Sequence, residues 1–325
     1  MNFTTRNESN TTMADNEKKV LIELVIYTTI AISICGLLTN GFLMLVFAVD
    51  PLGCLRNVAS SLILNLSLSD FFTASMLLLW NTAYWKWASE VVTTIFFYLV
   101  WLGYTVSFLT IVLLSLERYI AIRYIWSANR IVTKRRTYCA IATIWLTSGI
   151  PLISLSGKNQ NIQVFVMSSF FELCILLVTI FYGKLLANRW NQVNREHKDH
   201  MKQETKLTKV VFMLIALLVI TTVPTIVHYQ VIYGLALFCG VDCVHENLLL
   251  VPVYLTPLFS ANFAINPIVY AWRLPKYRRS FLALWKSIFL CQNKQFDGTV
   301  TYHRNEATSL EITATPTTNG SYTSL

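Results

Sequence analysis

Long apolar stretches, separated by short polar segments, make up most of this chain. Seven of them run roughly over residues 20–49, 59–80, 91–116, 137–155, 162–183, 210–237 and 247–272. Each is close to or above the ~20 residues that an α-helix needs to cross a bilayer, and none alternates with the two-residue period of a membrane barrel strand. The pattern predicts an all-α membrane protein built as a seven-transmembrane helix bundle.

A different pattern follows the seventh stretch. From Pro275 to Leu290, apolar residues recur at helical spacing with basic residues between them, which predicts a short amphipathic helix along the membrane surface. We therefore divide the chain into an N-terminal segment (1–19), the seven-helix domain (20–274), the amphipathic helix (275–291) and a polar tail (292–325). The tail is rich in Ser and Thr, and we expect it to be disordered.

Composition and charge agree with a membrane protein. The 325 residues are 54% hydrophobic and only 13% charged, with a mean hydropathy of +0.51, whereas soluble domains are about a quarter charged. The net charge of +9 does not indicate nucleic-acid binding, because Lys and Arg collect in the loops after the third and fifth stretches and in the segment after the seventh. Short basic loops stay in the cytoplasm, so we expect the N-terminus outside and the C-terminus inside.

This orientation predicts several modifications. Three glycosylation sequons begin at Asn2, Asn7 and Asn10, on the predicted outer side. Cys239 and Cys243 lie in the outer loop before the seventh stretch, where an oxidising environment favours a small disulfide. Cys291 follows the amphipathic helix at the inner surface, where we expect either palmitoylation or a free thiol.

Short polar motifs stand inside the apolar stretches, where ionisable groups are costly and usually functional. In chain order they are Asn40-Gly41, Leu66-Ser67-Leu68-Ser69-Asp70, Glu117-Arg118-Tyr119, Trp145, Tyr182, Pro224 and Asn266-Pro267-Ile268-Val269-Tyr270. Together they resemble the motifs of rhodopsin-like (class A) G-protein-coupled receptors, over about residues 20–291. The resemblance implies a multi-pass plasma-membrane receptor, not an enzyme, that couples to a heterotrimeric G protein and is regulated by receptor kinases and arrestin.

The resemblance assigns a switch to the inner end of the third helix. Arg118, between Glu117 and Tyr119, would rest against an acid and later turn towards the G protein. Glu204, at the foot of the sixth helix, would be a second acid that holds the third and sixth helices together. The alternative is that Arg118 only extends to the membrane interface.

The resemblance also assigns roles in the last helices. Pro224 would give the sixth helix a pivot, and Pro267 would break the seventh, where Asn266 could satisfy one of the freed backbone groups. Tyr182 and Tyr270 would meet through water in the active state. The alternative is that these tyrosines belong to an aromatic belt at the membrane interface.

Four polar residues would meet between the second, third and seventh helices. By resemblance, Asp70, Ser107, Asn262 and Asn266 would surround an allosteric sodium ion, and no other cofactor is expected. Carboxylate, hydroxyl and amide oxygens suit a hard cation. The alternative is a hydrogen-bonded cluster that joins the helices without an ion.

The residues expected to line a ligand pocket are apolar or aromatic, with a few hydroxyl groups, which suits a small neutral or lipidic ligand. They are Val100, Trp101, Tyr104, Thr225, Tyr229, Thr256 and Ser260. Val100 stands where amine receptors of this family keep an aspartate, and Ser260 where opsins keep the retinal-binding lysine. The alternative is that several of these residues only pack helix against helix.

Two closer resemblances compete. The segment from Cys239 to Cys243 and residues 266–273 are similar to adenosine receptors, although Tyr229 stands where those receptors have an asparagine. The short second outer loop without cysteine is similar to melanocortin and to lysolipid or cannabinoid receptors. Thr93 replaces the cysteine that usually caps the third helix, and Thr222 the common tryptophan of the sixth.

Further partners and other functions stay open at this level. Membrane lipids would contact the amphipathic helix, and Thr323-Ser324-Leu325 is a short match to a PDZ-domain ligand. Nucleic acid is not expected. The competing functions are a membrane transporter and a scavenger that has the same fold but does not signal.

Overall fold

The computed structural model of the chain describes residues 4–85, 89–124, 127–149, 160–192 and 198–289. Its main helices are α1 Thr4–Val49, α2 Val58–Trp85, α3 Glu90–Arg123, α4 Lys134–Ser148, α5 Gln160–Gln192, α6 Lys198–Phe238, α7 Glu246–Arg273 and α8 Pro275–Phe289. A helical turn at Ala128–Ile131 and a 3₁₀ turn at Val241–Cys243 lie in the connections. These described residues contain no β-strand, in agreement with the predicted all-α class.

The helices close into a ring. α1 packs on α2 and α7, α2 on α3, α3 on α5, α5 on α6, and α6 on α7. α4 lies outside this ring against α2 and α3, while α8 packs on α7 and α1. α3 also contacts α6 across the ring. This arrangement confirms the predicted seven-helix bundle with a short eighth helix.

Five of the described helices are long and apolar enough to cross a membrane. They are Lys18–Val49, Val58–Thr82, Val91–Arg123, Asn161–Lys184 and Lys209–Phe238, in α1, α2, α3, α5 and α6. Their outward faces carry exposed large apolar side chains such as Leu38 and Ile220, which lipid chains would cover. α4 and α7 take the fourth and seventh places in the bundle through their packing.

The close approach of α2 and α3 depends on Gly103. A Cβ atom at this position would collide with the Thr73 hydroxyl and would lie 3.2 Å from the Phe72 ring. Small residues allow membrane helices to approach in this way. The approach brings Ser107, one turn further along α3, against Ser69 and Asp70 of α2.

A hydrogen bond to a carbonyl group that a proline leaves free joins the C-terminal half of α6 to the first turns of α7. Pro252 has no N–H, so the carbonyl group of Leu248, four residues earlier, lacks its helical donor. Nε2 of His228 donates to this carbonyl oxygen across 2.9 Å. The side chain from α6 thus replaces the missing donor of α7.

The amphipathic helix α8 begins at Pro275 and is anchored to the bundle through its first turn. Tyr277 is fully buried, and its hydroxyl lies 2.9 Å from that of Ser60 in α2. Further along, Phe281 and Trp285 contact the ring of Phe42 in α1. One face of α8 therefore packs on α1 and α2, as an amphipathic helix requires.

The connection between α6 and α7 differs from its prediction in the state of its two cysteines. Cys239 and Cys243 are exposed free thiols, and the Cys243 thiol donates to the Cys239 carbonyl oxygen at 3.2 Å. The 3₁₀ turn therefore directs this sulfur at the backbone rather than at the other sulfur. The predicted disulfide is not formed in this structure.

Several predictions concern residues that the structure does not describe. Asn2, Cys291, the tail from 292 and most of the second outer loop lie outside the described ranges. Asn7, Asn10 and Glu204 lie within helices, but their side chains are outside the described part. The predicted modifications and the Arg118–Glu204 pair stay predictions.

Candidate functional site

A buried polar cluster joins α2, α3 and α7. Both carboxylate oxygens of Asp70, which is fully buried, accept hydrogen bonds: Oδ1 from the Ser107 hydroxyl at 2.6 Å and Oδ2 from the Asn266 amide at 2.7 Å. Ser69 also lies 2.9 Å from Ser107. A carboxylate away from water is tolerable only when donors replace its hydration, so these bonds hold the three helices in register.

Asn262 shares a face of α7 with this cluster but is not joined to it by a described bond. Its side-chain oxygen is buried and has no hydrogen-bond partner within the described part of the chain. The structure therefore brings together three of the four predicted cation ligands. The fourth offers an unused oxygen, as a cation ligand would.

Asn40 of α1 completes the backbone bonding of α7. Pro267 removes the donor for the Phe263 carbonyl, and the Asn40 amide supplies one at 2.9 Å while also donating to the Gly36 carbonyl at 2.9 Å. The expectation that Asn266 would satisfy a group freed by Pro267 has no support here, because the Asn266 amide donates to Asp70. α7 thus continues through Pro267 as one helix, and the carbonyl group that this proline frees is bonded from α1.

A second polar link joins α2, α3 and α4. The Asn65 amide donates to the Thr110 hydroxyl at 2.8 Å, and its oxygen accepts from the indole N–H of Trp145 at 2.9 Å. Sequence reasoning singled out Trp145 but not the other two residues. Asn65 lies five residues before Asp70 within an apolar stretch, and a polar residue at this depth could have indicated a link between helices.

The C-terminal end of α3 carries a buried ion pair. The guanidinium of Arg118 donates through Nε and Nη2 to the two carboxylate oxygens of Glu117, and their side chains are only 5% and 7% exposed. Paired N–H groups aimed at one carboxylate are a strong arrangement. Arg118 is therefore held against an acid, as the resemblance implied.

The two predicted switch tyrosines are buried near the same end. Tyr182 of α5 stacks on Phe212 of α6, with ring centroids 5.2 Å apart. Tyr270 of α7 is fully buried beside the ring of Tyr277, and its hydroxyl has no hydrogen-bond partner among the described residues. The Tyr270 hydroxyl is therefore available for a new bond if the helices move.

The predicted pocket residues meet in an aromatic cluster between α3, α5, α6 and α7. Trp101 lies within 6.0 Å of Tyr104 and 6.3 Å of Tyr229, as measured between ring centroids. Val100 and Thr225 are also buried, and the Thr225 hydroxyl has no hydrogen-bond partner in the described structure. Ser260 is buried beside Tyr104, while Thr256 is half-buried on the same helix.

Three phenylalanines that sequence reasoning missed belong to this cluster. Phe171 of α5 stacks on Trp101 at 5.6 Å, and Phe259 and Phe263 of α7 lie 4.6 and 4.9 Å from Tyr104. The four-residue spacing of Phe259 and Phe263 could have indicated a shared helical face. The cluster around the predicted pocket therefore contains more aromatic side chains than the predicted residues alone indicated.

Comparisons with known proteins agree with this geometry. A family model described as 7 transmembrane receptor (rhodopsin family) matches residues 39–155. The Allatostatin-A receptor of Bombyx mori is 29% identical over 162 residues, which cover 45% of this chain and 43% of that receptor. The Trissin receptor of Drosophila melanogaster is 27% identical over 153 residues, 45% of this chain and 23% of that receptor.

A third relative matches over almost its whole length. The Adenosine receptor A3 of Canis lupus familiaris is 23% identical over 319 residues, which cover 86% of this chain and 97% of the relative. The matches to the first two relatives span less than half of either, so those similarities concern part of the bundle.

Proposed function

We propose that the chain is a seven-transmembrane receptor of the rhodopsin family, because its bundle, its motifs and its similarity to known receptors agree. In this proposal it binds a small extracellular ligand and activates a heterotrimeric G protein by outward movement of the inner end of α6. The observation that carries this proposal is the buried Glu117–Arg118 pair at the inner end of α3. The pair keeps the Arg118 guanidinium on the side of the bundle that we assign to the cytoplasm, because the short loops on that side are basic.

The switch step follows from this pair. Turning Arg118 away from Glu117 exposes a guanidinium that can donate to the G protein, and Glu204 is the second acid that would oppose this turn. Pro224 supplies the pivot, because it removes one helical hydrogen bond from α6. Buried Tyr182 and Tyr270 then supply hydroxyl groups near the widened inner end.

The ligand we propose is neutral or lipidic. The aromatic cluster around Trp101 and Tyr104 offers apolar surface, and the unpartnered Thr225 hydroxyl offers one directed hydrogen bond. The relatives are named for allatostatin-A, trissin and adenosine, which differ from one another. Tyr229 contacts Trp101 with its ring, so it adds to the apolar wall at the position where adenosine receptors have an amide.

A sodium ion beside Asp70 would stabilise the resting state. Ser107, Asn262 and Asn266 would supply the remaining oxygens, and the unpartnered Asn262 oxygen fits such a role. The ion would add positive charge beside a buried carboxylate. Agonist binding that is insensitive to sodium would leave the cluster as a hydrogen-bonded joint only.

The surroundings of the bundle complete the proposal. We place the receptor in the plasma membrane with an extracellular, glycosylated N-terminus. The Ser- and Thr-rich tail would be phosphorylated by receptor kinases and then bind arrestin, because phosphates add charge and acceptor oxygens. Palmitoylation of Cys291, contacts with membrane lipids and a PDZ partner for the last three residues remain part of the proposal.

The decisive experiment measures basal dissociation of a panel of G proteins in cells. Wild type is compared with Arg118→Ala at equal surface expression, and Arg123→Ala is the matched control, because Arg123 is an exposed arginine at the end of the same helix. We expect Arg118→Ala to abolish the signal and Arg123→Ala to keep it.

Other outcomes have separate meanings. Equal loss in both variants would indicate a general effect of basic charge rather than a switch. A signal that survives Arg118→Ala would refute the proposed role of the ion pair. Ion flux without G-protein dissociation would favour the transporter.

A further inference from the structure

An amide on α6 bonds two acceptors on α5. Nε2 of Gln230 donates to the Ser169 hydroxyl at 2.6 Å and to Oε2 of Glu172 at 3.2 Å. A side-chain amide has two N–H groups, so both bonds can form together. Ser169 and Glu172 are three residues apart and therefore lie on one face of α5. We refer to these three residues as the α5–α6 fork.

The fork places an ionisable group inside a membrane-spanning segment. Glu172 lies within Asn161–Lys184, and such positions are costly and usually functional. Among the described residues, the ion pairs are Asp50–Arg56 and Glu117–Arg118, so no basic side chain in this part of the chain pairs with Glu172. The carboxylate is held by an amide donor from the neighbouring helix instead.

The contact surface between α5 and α6, which we call the seam, is also closely packed between the fork and the outer ends of the two helices. Gly234, one turn beyond Gln230, fits beside Phe165, whose ring would lie 3.4 Å from a Cβ atom at that position. Phe165 also meets Phe238 edge-on, with centroids 6.2 Å apart. The fork and these contacts follow one another along the outer half of the seam.

The position of the fork relative to Pro224 matters. Gln230 lies six residues beyond this proline, about 9 Å along the axis towards the outer end. On the other side of the proline, Phe212 stacks on Tyr182 of α5. A ring stack tolerates sliding better than a hydrogen-bonded fork, because hydrogen bonds weaken steeply when their angle changes.

We propose that the α5–α6 fork fixes the outer half of α6 to α5, so that movement about Pro224 is confined to the inner half. Ser169, Glu172 and Gln230 are then positioning residues of the switch. The consequence for activation rests on the proposed function. The fixed contact between the outer halves of α5 and α6 does not depend on that function. Glu172 acts as a hydrogen-bond acceptor in this scheme.

The test measures two distances between α5 and α6 in the full chain in lipid nanodiscs, without a G protein. Spin labels are attached at exposed positions, Ile162 and Cys239 at the outer end and Lys184 and Lys209 at the inner end, in a background without the other exposed cysteines. Pulsed electron paramagnetic resonance then gives the distribution of each of the two distances. Surface expression and thermal stability show that each variant is folded.

The variants separate acceptor, charge and general damage. Gln230→Leu and Glu172→Met should increase the population with separated outer ends by roughly three- to tenfold, the effect of losing one or two interhelical hydrogen bonds. Glu172→Gln, which keeps an acceptor oxygen, should retain the narrow outer distance. Thr179→Val is the matched control, because the Thr179 hydroxyl bonds the carbonyl of Ile175 in its own helix.

Two results would overturn the proposal. One is that the distribution of the outer distance stays unchanged in both Gln230→Leu and Glu172→Met. The other is equal broadening in Glu172→Gln and Glu172→Met, which would show that the charge of Glu172 is required rather than its acceptor. Both distances are measured without a G protein, so they do not depend on whether the protein activates one. Failure of the proposed function is therefore distinguishable from failure of this inference.

Discussion

Asn40→Ala removes the donor that compensates for Pro267. The Asn40 side chain is fully buried, and its amide reaches the Phe263 carbonyl at 2.9 Å. That carbonyl has no donor within α7, because Pro267 lacks an N–H. After the substitution, the Phe263 carbonyl is left without a partner between α1 and α7, where water does not replace the lost bond.

The magnitude follows from these contacts. An interhelical hydrogen bond in a membrane protein contributes about 0.6 and at most ~1.7 kcal/mol, and a buried unsatisfied polar group costs about 1–3 kcal/mol. The Gly36 carbonyl, the other acceptor of Asn40, keeps its helical donor. We therefore expect Asn40→Ala to lower the free energy of unfolding by about 1–3 kcal/mol, chiefly through Phe263.

Pro267→Ala provides the discriminating partner. Alanine restores an N–H at position 267, one turn from the Phe263 carbonyl, so the helix can satisfy this carbonyl itself. In that background, Asn40→Ala should cost about 1 kcal/mol or less. The double-mutant cycle should therefore show a coupling energy of about 1–2 kcal/mol between two residues on different helices.

The assay is reversible unfolding in mixed detergent micelles, which gives the free energy of unfolding for each variant. Asn81→Ala is the matched control, since the Asn81 amide donates to Leu77 within α2, at 2.8 Å. Its cost should not depend on Pro267. Equal costs of Asn40→Ala in both backgrounds would refute the assignment of the Phe263 carbonyl as the group that Asn40 satisfies.

Three further predictions concern packing, a loop and a thiol pair. Gly103→Ala should reduce thermal stability through its collision with Thr73, and Thr73→Ala should recover part of the loss; no recovery would contradict the close approach of α2 and α3. The Arg136 guanidinium donates to the carbonyl groups of Ile131 and Arg130, at 2.8 and 3.3 Å, in the helical turn Ala128–Ile131. Arg136→Gln should therefore speed amide hydrogen exchange in this turn, and unchanged exchange would contradict the role of these bonds. Non-reducing mass spectrometry of the protein from the cell surface should find Cys239 and Cys243 as free thiols, and a peptide mass lower by two hydrogens would instead indicate the predicted disulfide.

Much of the fold was predictable because each span is a local property. A continuous run of apolar residues requires an internally bonded backbone in lipid, and the helix is the local solution. The start of α8 at Pro275 was predictable for a similar reason, since proline fits the first turn of a helix, where its missing N–H costs nothing. The resemblance to class A receptors indicated Asp70, Ser107 and Asn266 as neighbours, and their hydrogen bonds agree with it.

The contacts between helices were less predictable. Sequence reasoning gave Asn266 a role at Pro267, yet the structure uses Asn40, because the donor that reaches Phe263 comes from α1. It also missed Gln230 and Glu172, whose pairing depends on the rotation of α5 and α6 about their axes. Phe171 entered the aromatic cluster in the same way, through the face that α5 turns towards α3.

The number and order of the helices and the depth of their polar groups follow from the amino-acid sequence, which also predicts their orientation. These depend on hydropathy, on the positions of basic residues and on the rise per residue of a helix. Which donor meets which acceptor depends instead on the three-dimensional packing of the helices. Helices in lipid are held by packing and by a few directed bonds, and these depend on how each helix is rotated and how closely its neighbour approaches.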